Sequence, residues 1–507
     1  MLRRMSVPGN RARPRLAVGL LGLGSVLAAC LPVAPGAPPG PSVGGEAPPS
    51  VPPAVRVVPR PPAGDRFVPG DRLTLTAPVG SRRVLLLANP SDRAVVLGAA
   101  VLPEGLAPSP TPTPQPTRSG RSLFPPFGFG SDREGWGGLT GLRRLSAAPE
   151  VATGETATFW INDGSATLAG DQARRARQRL VTSNARFFVD AEDLAAVPTE
   201  RLRAFAEAFE RRIRPPLTRV FGTEDQPGVD GDSRLFIVFS AWVGSARGRE
   251  GMLGYFWPRD PLPAAPEATD LRRHANEKEV IFLSTRILEQ PDVTALGTLA
   301  HEYQHLLMFC AKSRIDGVPR TEATWLDEGC SMLAMDLAGL GRVAGDPFVL
   351  DEIRAYMAAP GRYSLTDWAG NPDGRSYGLS YMFVRHLTAR YGLGLIEELQ
   401  RTPLTGLKAL DAVLRARDSS AAAAWVDWLR EAGEAMVAGE PGRGPTPEAL
   451  VRTTSFGVRP WGGLYLEAEG LGAEERRVTL MQPSAPLVIW RGVPGDPTGQ
   501  LQLDEAR

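Results

Sequence analysis

The chain is 507 residues long with 43% hydrophobic content, enough to bury a large core and to hold two or three domains. Its 57 basic and 56 acidic residues nearly cancel, so there is no electrostatic footprint for nucleic acid and no such partner is expected. Lysine is confined to Lys278, Lys312 and Lys408, and arginine carries the rest of the positive charge.

Residues 1–30 read as a targeting segment. Arg3, Arg4, Arg11, Arg13 and Arg15 form a basic region, and Leu16 to Val26 an apolar one too short for an ordinary transmembrane helix. Leu27-Ala28-Ala29-Cys30 then resembles a bacterial lipobox, in which Cys30 is lipidated and becomes the new N-terminus. An ordinary secretory signal is the competing reading, and both place the mature chain outside the cytoplasm. Leu31 after the cysteine resembles the pattern not retained at the inner membrane, so an outer-membrane or cell-surface anchor is expected. Residues 31–64 are rich in Pro, Ala, Gly and Val and read as an extended tether.

A small β domain is expected over 65–165, from Leu73-Thr74-Leu75-Thr76, Val84-Leu85-Leu86-Leu87 and Val95-Val96-Leu97, resuming at Thr156 to Ile161. A low-complexity insertion at 108–138 interrupts it. The main domain is expected over 171–440, opening with strands at Arg179–Thr182 and Arg186–Val189. A helix from Thr199 buries Leu202, Phe205, Ala206, Phe209 and Ile213 on one face, and Pro215-Pro216 stops it. Asp225, Asp230 and Asp232 around Gly231 precede the buried strand Leu235–Phe239; they suit either a Ca2+ ion or an Asp-Gly turn, the turn being simpler because an EF-hand's closing Glu is missing. Leu253-Gly254-Tyr255-Phe256-Trp257 and Val280–Leu283 follow as strands.

The stretch Gly297-Thr298-Leu299-Ala300-His301-Glu302-Tyr303-Gln304-His305 carries the chemistry. At 3.6 residues per turn His301 and His305 stand one above the other on a helix face, able to grip one metal ion, with Glu302 beside them as general base. Half of the chain's four histidines lie in this motif, and Asp292 is placed to cap the helix. Downstream, Thr324-Trp325-Leu326-Asp327-Glu328-Gly329 begins a second helix, and Glu328 is the natural third ligand of a site that keeps a position for water. The rest of the domain reads as helical. Tyr377 and Tyr381, four apart, are candidate oxyanion donors, with His386 a rival. Residues 448–507 close the chain as a short β segment.

This combination resembles the zincin peptidases whose third ligand is a Glu on a following helix, and W-L-x-E-G is shared with their aminopeptidase branch. A longer run resembles the hyicolysin-like neutral zinc metallopeptidases. It comprises Gly254 to Asp260, Asn276 to Glu279, the His301 helix, Trp325 to Met332, and Ser376 to Tyr381. The resemblance implies an α+β fold with a zincin-like catalytic domain: a mixed sheet, active-site helices and a helical C-terminal lobe, to which the strand patterns above add small flanking β domains. It implies one catalytic Zn2+ on His301, His305 and Glu328, and endopeptidase action on proteins or peptides. It also casts Gly254, Tyr255, Phe256 and Trp257 as an edge strand that pairs with substrate, against the plain reading of a half-buried strand. Many relatives of this kind place an Asp four residues after the third ligand to orient a histidine; that position is Met332, leaving Asp327, Ser331 or Asp336 for the task. An aminopeptidase, or an inactive surface-binding lipoprotein, remains as the alternative. Cys310 and Cys330, roughly 10 Å apart on antiparallel helices, are expected as free buried thiols.

Overall fold

A computed structural model describes residues 65–67, 72–77, 82–102, 154–225, 227–247, 249, 251–267, 271–374, 376–437, 445, 448–449, 454–469, 476–481 and 487–492. The expected targeting segment with Cys30, the expected Pro-rich tether and the insertion expected at 108–138 lie outside the described residues. What is described is mixed α and β, in two assemblies.

The first assembly joins the two ends of the chain. Strands β1 (Asp65–Phe67), β2 (Arg72–Ala77), β3 (Arg82–Asn89) and β4 (Val95–Leu102) come before the main domain, and strand β5 (Thr156–Asn162) opens it. Far downstream lie β11 (Glu448–Ala449), β12 (Thr454–Val458), β13 (Gly462–Glu469), β14 (Arg476–Met481) and β15 (Leu487–Gly492). These ends interleave as a five-stranded sheet, β1-β15-β3-β13-β11, and a four-stranded one, β12-β4-β14-β2. The flanking β regions read separately from the sequence therefore pair with one another, and β5 leaves them for a separate six-stranded sheet. In β3, Leu86 and Ala88 join the main core while Leu85 and Leu87 are buried on the other face, the period-two alternation of a strand covered on both sides.

The second assembly is a six-stranded sheet. With β6 (Asp171–Val181), β7 (Ala185–Asp190), β8 (Leu235–Phe239), β9 (Gly254–Phe256) and β10 (Val280–Leu283), its order is β5-β6-β7-β8-β10-β9. Strands β7, β8 and β10 run parallel, and every residue of the three is buried, as near-continuous apolar runs demand. The parallel β7–β8 step needs a crossover. It is made by α1 (Thr199–Ala208), a π turn at Phe209–Ile213, and α2 (Arg214–Phe221). Here the sequence expectation is corrected: Pro215 and Pro216 do not end a helix but open α2, because first-turn amides have no partner within the helix to lose.

The sheet curls so that side chains reach across to the edge strand β5. The Trp160 N–H donates to Asn276 Oδ1 (2.8 Å), Asn276 Nδ2 donates to Trp160 O (3.0 Å), and the Asn162 N–H donates to Tyr255 Oη (2.8 Å). Side chains thus satisfy the outer edge of β5 in place of a neighbouring strand. Arg259 closes the seam with a bidentate pair to Asp171 at 2.6 and 2.9 Å, both groups fully buried.

Helices cover the other face. They are α3 (Asp292–Arg314), α4 (Thr324–Leu337), α5 (Pro347–Ala358), α6 (Tyr377–Tyr391), α7 (Gly394–Gln400), α8 (Gly406–Leu414) and α9 (Ala421–Val437). Asp292 sits in the first turn of α3 rather than at its cap, which is Pro291, and pairs with Arg201 at 3.0 Å. Lys312 on α3 is fully buried, pairing with Glu322 (2.9 Å) and donating to the carbonyls of Leu399, Thr402 and Leu404, so it fastens the segments before α4 and after α7. Cys310 and Cys330 are free and buried.

Candidate metal centre

Helix α3 is buried nearly all round, so its motif is held by packing on both sides. His301 Nε2 lies 3.1 Å from Glu328 Oε2 on α4, and His305 Nε2 lies 3.5 Å from the same oxygen. One ligand atom from each residue falls within 4.8 Å of the others, and among the described residues this is the one such group of three. Donor atoms about 2.0–2.1 Å from a tetrahedral ion stand roughly 3.3 Å apart, so the spacing fits a divalent ion, and two imidazoles with one carboxylate are a suitable donor set for it. Glu302 completes the arrangement. Its Oε2 accepts the Phe256 N–H at 2.9 Å, whereas its Oε1 is buried with no partner. An orphaned buried carboxylate oxygen beside three donors is what a site built for a further ligand leaves behind.

Electrostatics follow from that crowding. Burial raises the Glu302 carboxyl above its ordinary range, and Glu328 adds to this against the pull of His301 and His305. For Glu328 burial again acts upward, but His305 and His301 outweigh it and bring the carboxyl down to about 2. Burial depresses the His305 imidazolium, yet the carboxylates of Asp327 and Glu328 prevail and hold its pKa well above the usual value.

Two of the three residues considered in place of Met332 lie beside His305. Asp327 Oδ2 lies 3.0 Å from His305 Nδ1, and Ser331 Oγ lies 3.2 Å from the same ring while donating to Gln304 Oε1. Asp336 is committed elsewhere: it accepts from Tyr381 Oη (2.6 Å), the Arg342 N–H (2.8 Å) and Arg385. Of the two tyrosines on α6, Tyr377 comes beside His301, its ring 6.3 Å from that of the histidine. Tyr381 points to Asp336, and His386 Nδ1 lies 3.3 Å from Glu431 Oε2 on α9. Phe348 and Trp368, at 5.4 and 5.2 Å from the Tyr377 ring, form an aromatic wall that no spacing in the sequence announced.

Strand β9 is an edge, antiparallel to β10. Leu253 O accepts the Ser284 N–H (2.8 Å), so alternation turns the main-chain groups of Gly254 and Phe256 outward, as the Phe256–Glu302 bond requires. The side chains do not face a cleft. Tyr255 stacks on Phe282 at 5.1 Å, Trp257 lies under the Arg259 guanidinium at 3.7 Å, and Phe256 packs toward Phe309. Gly254 allows α3 its close approach, since a Cβ there would stand 2.8 Å from Leu283 Cδ2, 3.1 Å from Phe282 O and 3.3 Å from Thr298 Cγ2.

The three aspartates considered for calcium are neutralised by cations. Asp225 pairs with Arg314 (2.9 Å), Asp230 with Lys278 (3.4 Å) and Asp232 with Arg186 (2.6 Å) and Arg234 (3.0 Å). Among the described residues they do not gather as a metal-binding trio.

No protein-family model matches the chain. It is 27% identical over 237 residues to the neutral metalloprotease ShpI of Staphylococcus hyicus, covering 42% of this chain and 48% of that protein. The chain thus spans about half the length of the relative it matches. That likeness suggests a protease, and the His301, His305 and Glu328 group is compatible with a metal ion.

Proposed function

We propose that the chain is a zinc-dependent endopeptidase. The observation that carries this reading is the convergence of His301, His305 and Glu328 on one point, with the unpartnered Oε1 of Glu302 buried beside it. The similarity to a neutral metalloprotease agrees with it. His301, His305 and Glu328 would hold the ion, whose contribution when bound is to polarise the scissile carbonyl and acidify water. Glu302, held by the Phe256 N–H and raised by burial, takes the proton of the attacking water and later passes it to the leaving amine. Outward main-chain groups of Gly254 and the Phe256 carbonyl pair with an extended substrate, whereas Tyr255 and Trp257 serve by fixing the strand from behind. Of the two tyrosines, Tyr377, whose ring lies 6.3 Å from that of His301, is the proposed donor to the developing oxyanion.

In this reading, residues 1–30 are a lipoprotein signal, 31–64 a tether from lipidated Cys30, and the peptidase acts outside the cytoplasm on protein or peptide substrates. No helix among the described residues is long and apolar enough to cross a membrane. The test is hydrolysis of casein and of N-blocked and free-amine peptides, with bound zinc quantified, beside Glu302→Gln. Stoichiometric zinc in both proteins with activity only in the wild type is the expected result. Well-folded protein that takes up no zinc would remove the basis of the proposal, and cleavage restricted to free-amine peptides would make it an aminopeptidase.

A further inference from the structure

The wall behind Tyr377 does not stand by itself. Its Trp368 belongs to the connection between α5 and α6, where Trp368 Nε1 donates to Leu365 O (3.1 Å) and Asn371 braces Ser364 with bonds of 2.6 and 2.8 Å. This loop is gripped from outside by the turn between β12 and β13, part of the two-sheet assembly built from the chain's ends. Arg459 Nη2 pairs with Asp367 Oδ2 at 2.6 Å, and its Nη1 donates to Gly370 O. Ser364 Oγ donates to Pro460 O, and the Leu365 N–H to Trp461 O at 3.1 Å. A Cβ at Gly462 would lie 3.0 Å from Tyr363 O, so the approach is close.

Trp461 marks the turn as a constrained one. Its φ is +45°, a left-handed conformation that a bulky side chain rarely takes. It is kept there by its N–H on Ser91 O (3.2 Å), its indole N–H on Asp92 Oδ1 (3.0 Å) and its ring against Trp425 (6.2 Å). Such an outlier survives where surrounding contacts over-determine it, and it points to a positional task.

We propose that the Arg459–Trp461 turn is a positioning element of the metal centre: it sets the 363–371 loop, and through Trp368 holds the Tyr377 ring against His301. The two-sheet assembly is then a working part of the peptidase. The inference rests on the reading of this site as a peptidase centre. Arg459 and Asp367 are partly exposed, at 23% and 49%, so losing their pair leaves the fold standing.

The experiment uses the full chain with zinc bound and compares Arg459→Ala, Arg459→Lys, Tyr377→Phe and the Arg459→Ala/Tyr377→Phe double variant. We expect Arg459→Ala to lower kcat roughly tenfold with little change in KM, because a misplaced catalytic group costs rate before it costs binding. Arg459→Lys keeps the charge but loses the fork that reaches two acceptors, and falls between. In the Tyr377→Phe background the Arg459→Ala loss shrinks below about twofold, since both changes act through one ring. Full additivity, or wild-type kcat in Arg459→Ala, overturns the inference. Hydrogen exchange decides it independently of activity: amides of 363–371 should exchange faster in Arg459→Ala, and unchanged exchange also overturns it. An inactive wild type would sink the peptidase reading alone, and the exchange result would still stand for or against the turn.

Discussion

Asp327 offers the sharpest test of the proposed metal site. Its carboxylate stands 3.0 Å from His305 Nδ1, where at an effective dielectric near 20 the gross attraction to a positive ring is about 5 kcal/mol. Most of this is cancelled by desolvation, and groups in such a position typically govern metal affinity by 10–100-fold, about 1.4–2.7 kcal/mol. Ser331 Oγ remains 3.2 Å from the ring, so Asp327→Ala should fall in the lower half of that range, roughly 10–30-fold weaker zinc binding. Asp327→Asn keeps an acceptor and should lose less. The assay is a competition titration against a chelator of known affinity, repeated from pH 6 to pH 9. The sign with pH is fixed by the structure: Asp327 and Glu328 hold His305 protonated well above its usual pKa, and the proton must leave before the metal binds. Wild-type affinity should therefore climb roughly tenfold per pH unit until that pKa is passed. Asp327→Ala, with a lower His305 pKa, should level off at lower pH, so its deficit is largest in alkali. An unchanged affinity, or a deficit that grows toward acid, would refute the argument.

Tyr377→Phe should lower kcat by roughly 10²-fold at saturating zinc. Tyr381→Phe should instead cost about 1.5–3 kcal/mol of stability through the lost bond to Asp336, with kcat retained; thermal melts and peptide kinetics on both variants separate the roles. Gly254→Ala inserts a methyl that meets Phe282 O and the α3 residue Thr298, so we expect about 1–3 kcal/mol of destabilisation and a disturbed Phe256–Glu302 bond, visible as lost kcat/KM with zinc still bound. Burial, aided by the Asp230 and Asp225 charges, pushes Glu279 up to about 8, so the native state binds its proton more tightly than the unfolded chain does. The resulting stability is present in acid and lost as pH rises through about 8, by an amount on the order of a few kcal/mol. Denaturant melts should show this slope for the wild type and a shallower one for Glu279→Gln; parallel slopes would refute it.

The sequence by itself determined whatever depends on neighbours along the chain. The spacing of His301 and His305 implies a shared helix face, and Glu328 could be singled out because Trp325-Leu326-Asp327-Glu328-Gly329 opens a helix just downstream. The apolar runs of β7, β8 and β10 likewise announced buried strands. Pro215 and Pro216 show the limit of such local rules, for the same residue that interrupts one helix is welcome in the first turn of the next.

Only the tertiary structure decided which strands pair, which face of α6 reaches the centre, and what stands behind it. The partners of β3 are β13 and β15, from the far end of the chain, and a strand's pattern says that a face is buried without saying against what. Tyr377 and Tyr381 are equivalent by spacing, yet Asp336 and Arg385 claim one and His301, Phe348 and Trp368 surround the other. Backbone periodicity is short-ranged and written in the sequence, whereas a side chain's partners are chosen by packing and charge between segments that meet only when the whole chain has folded.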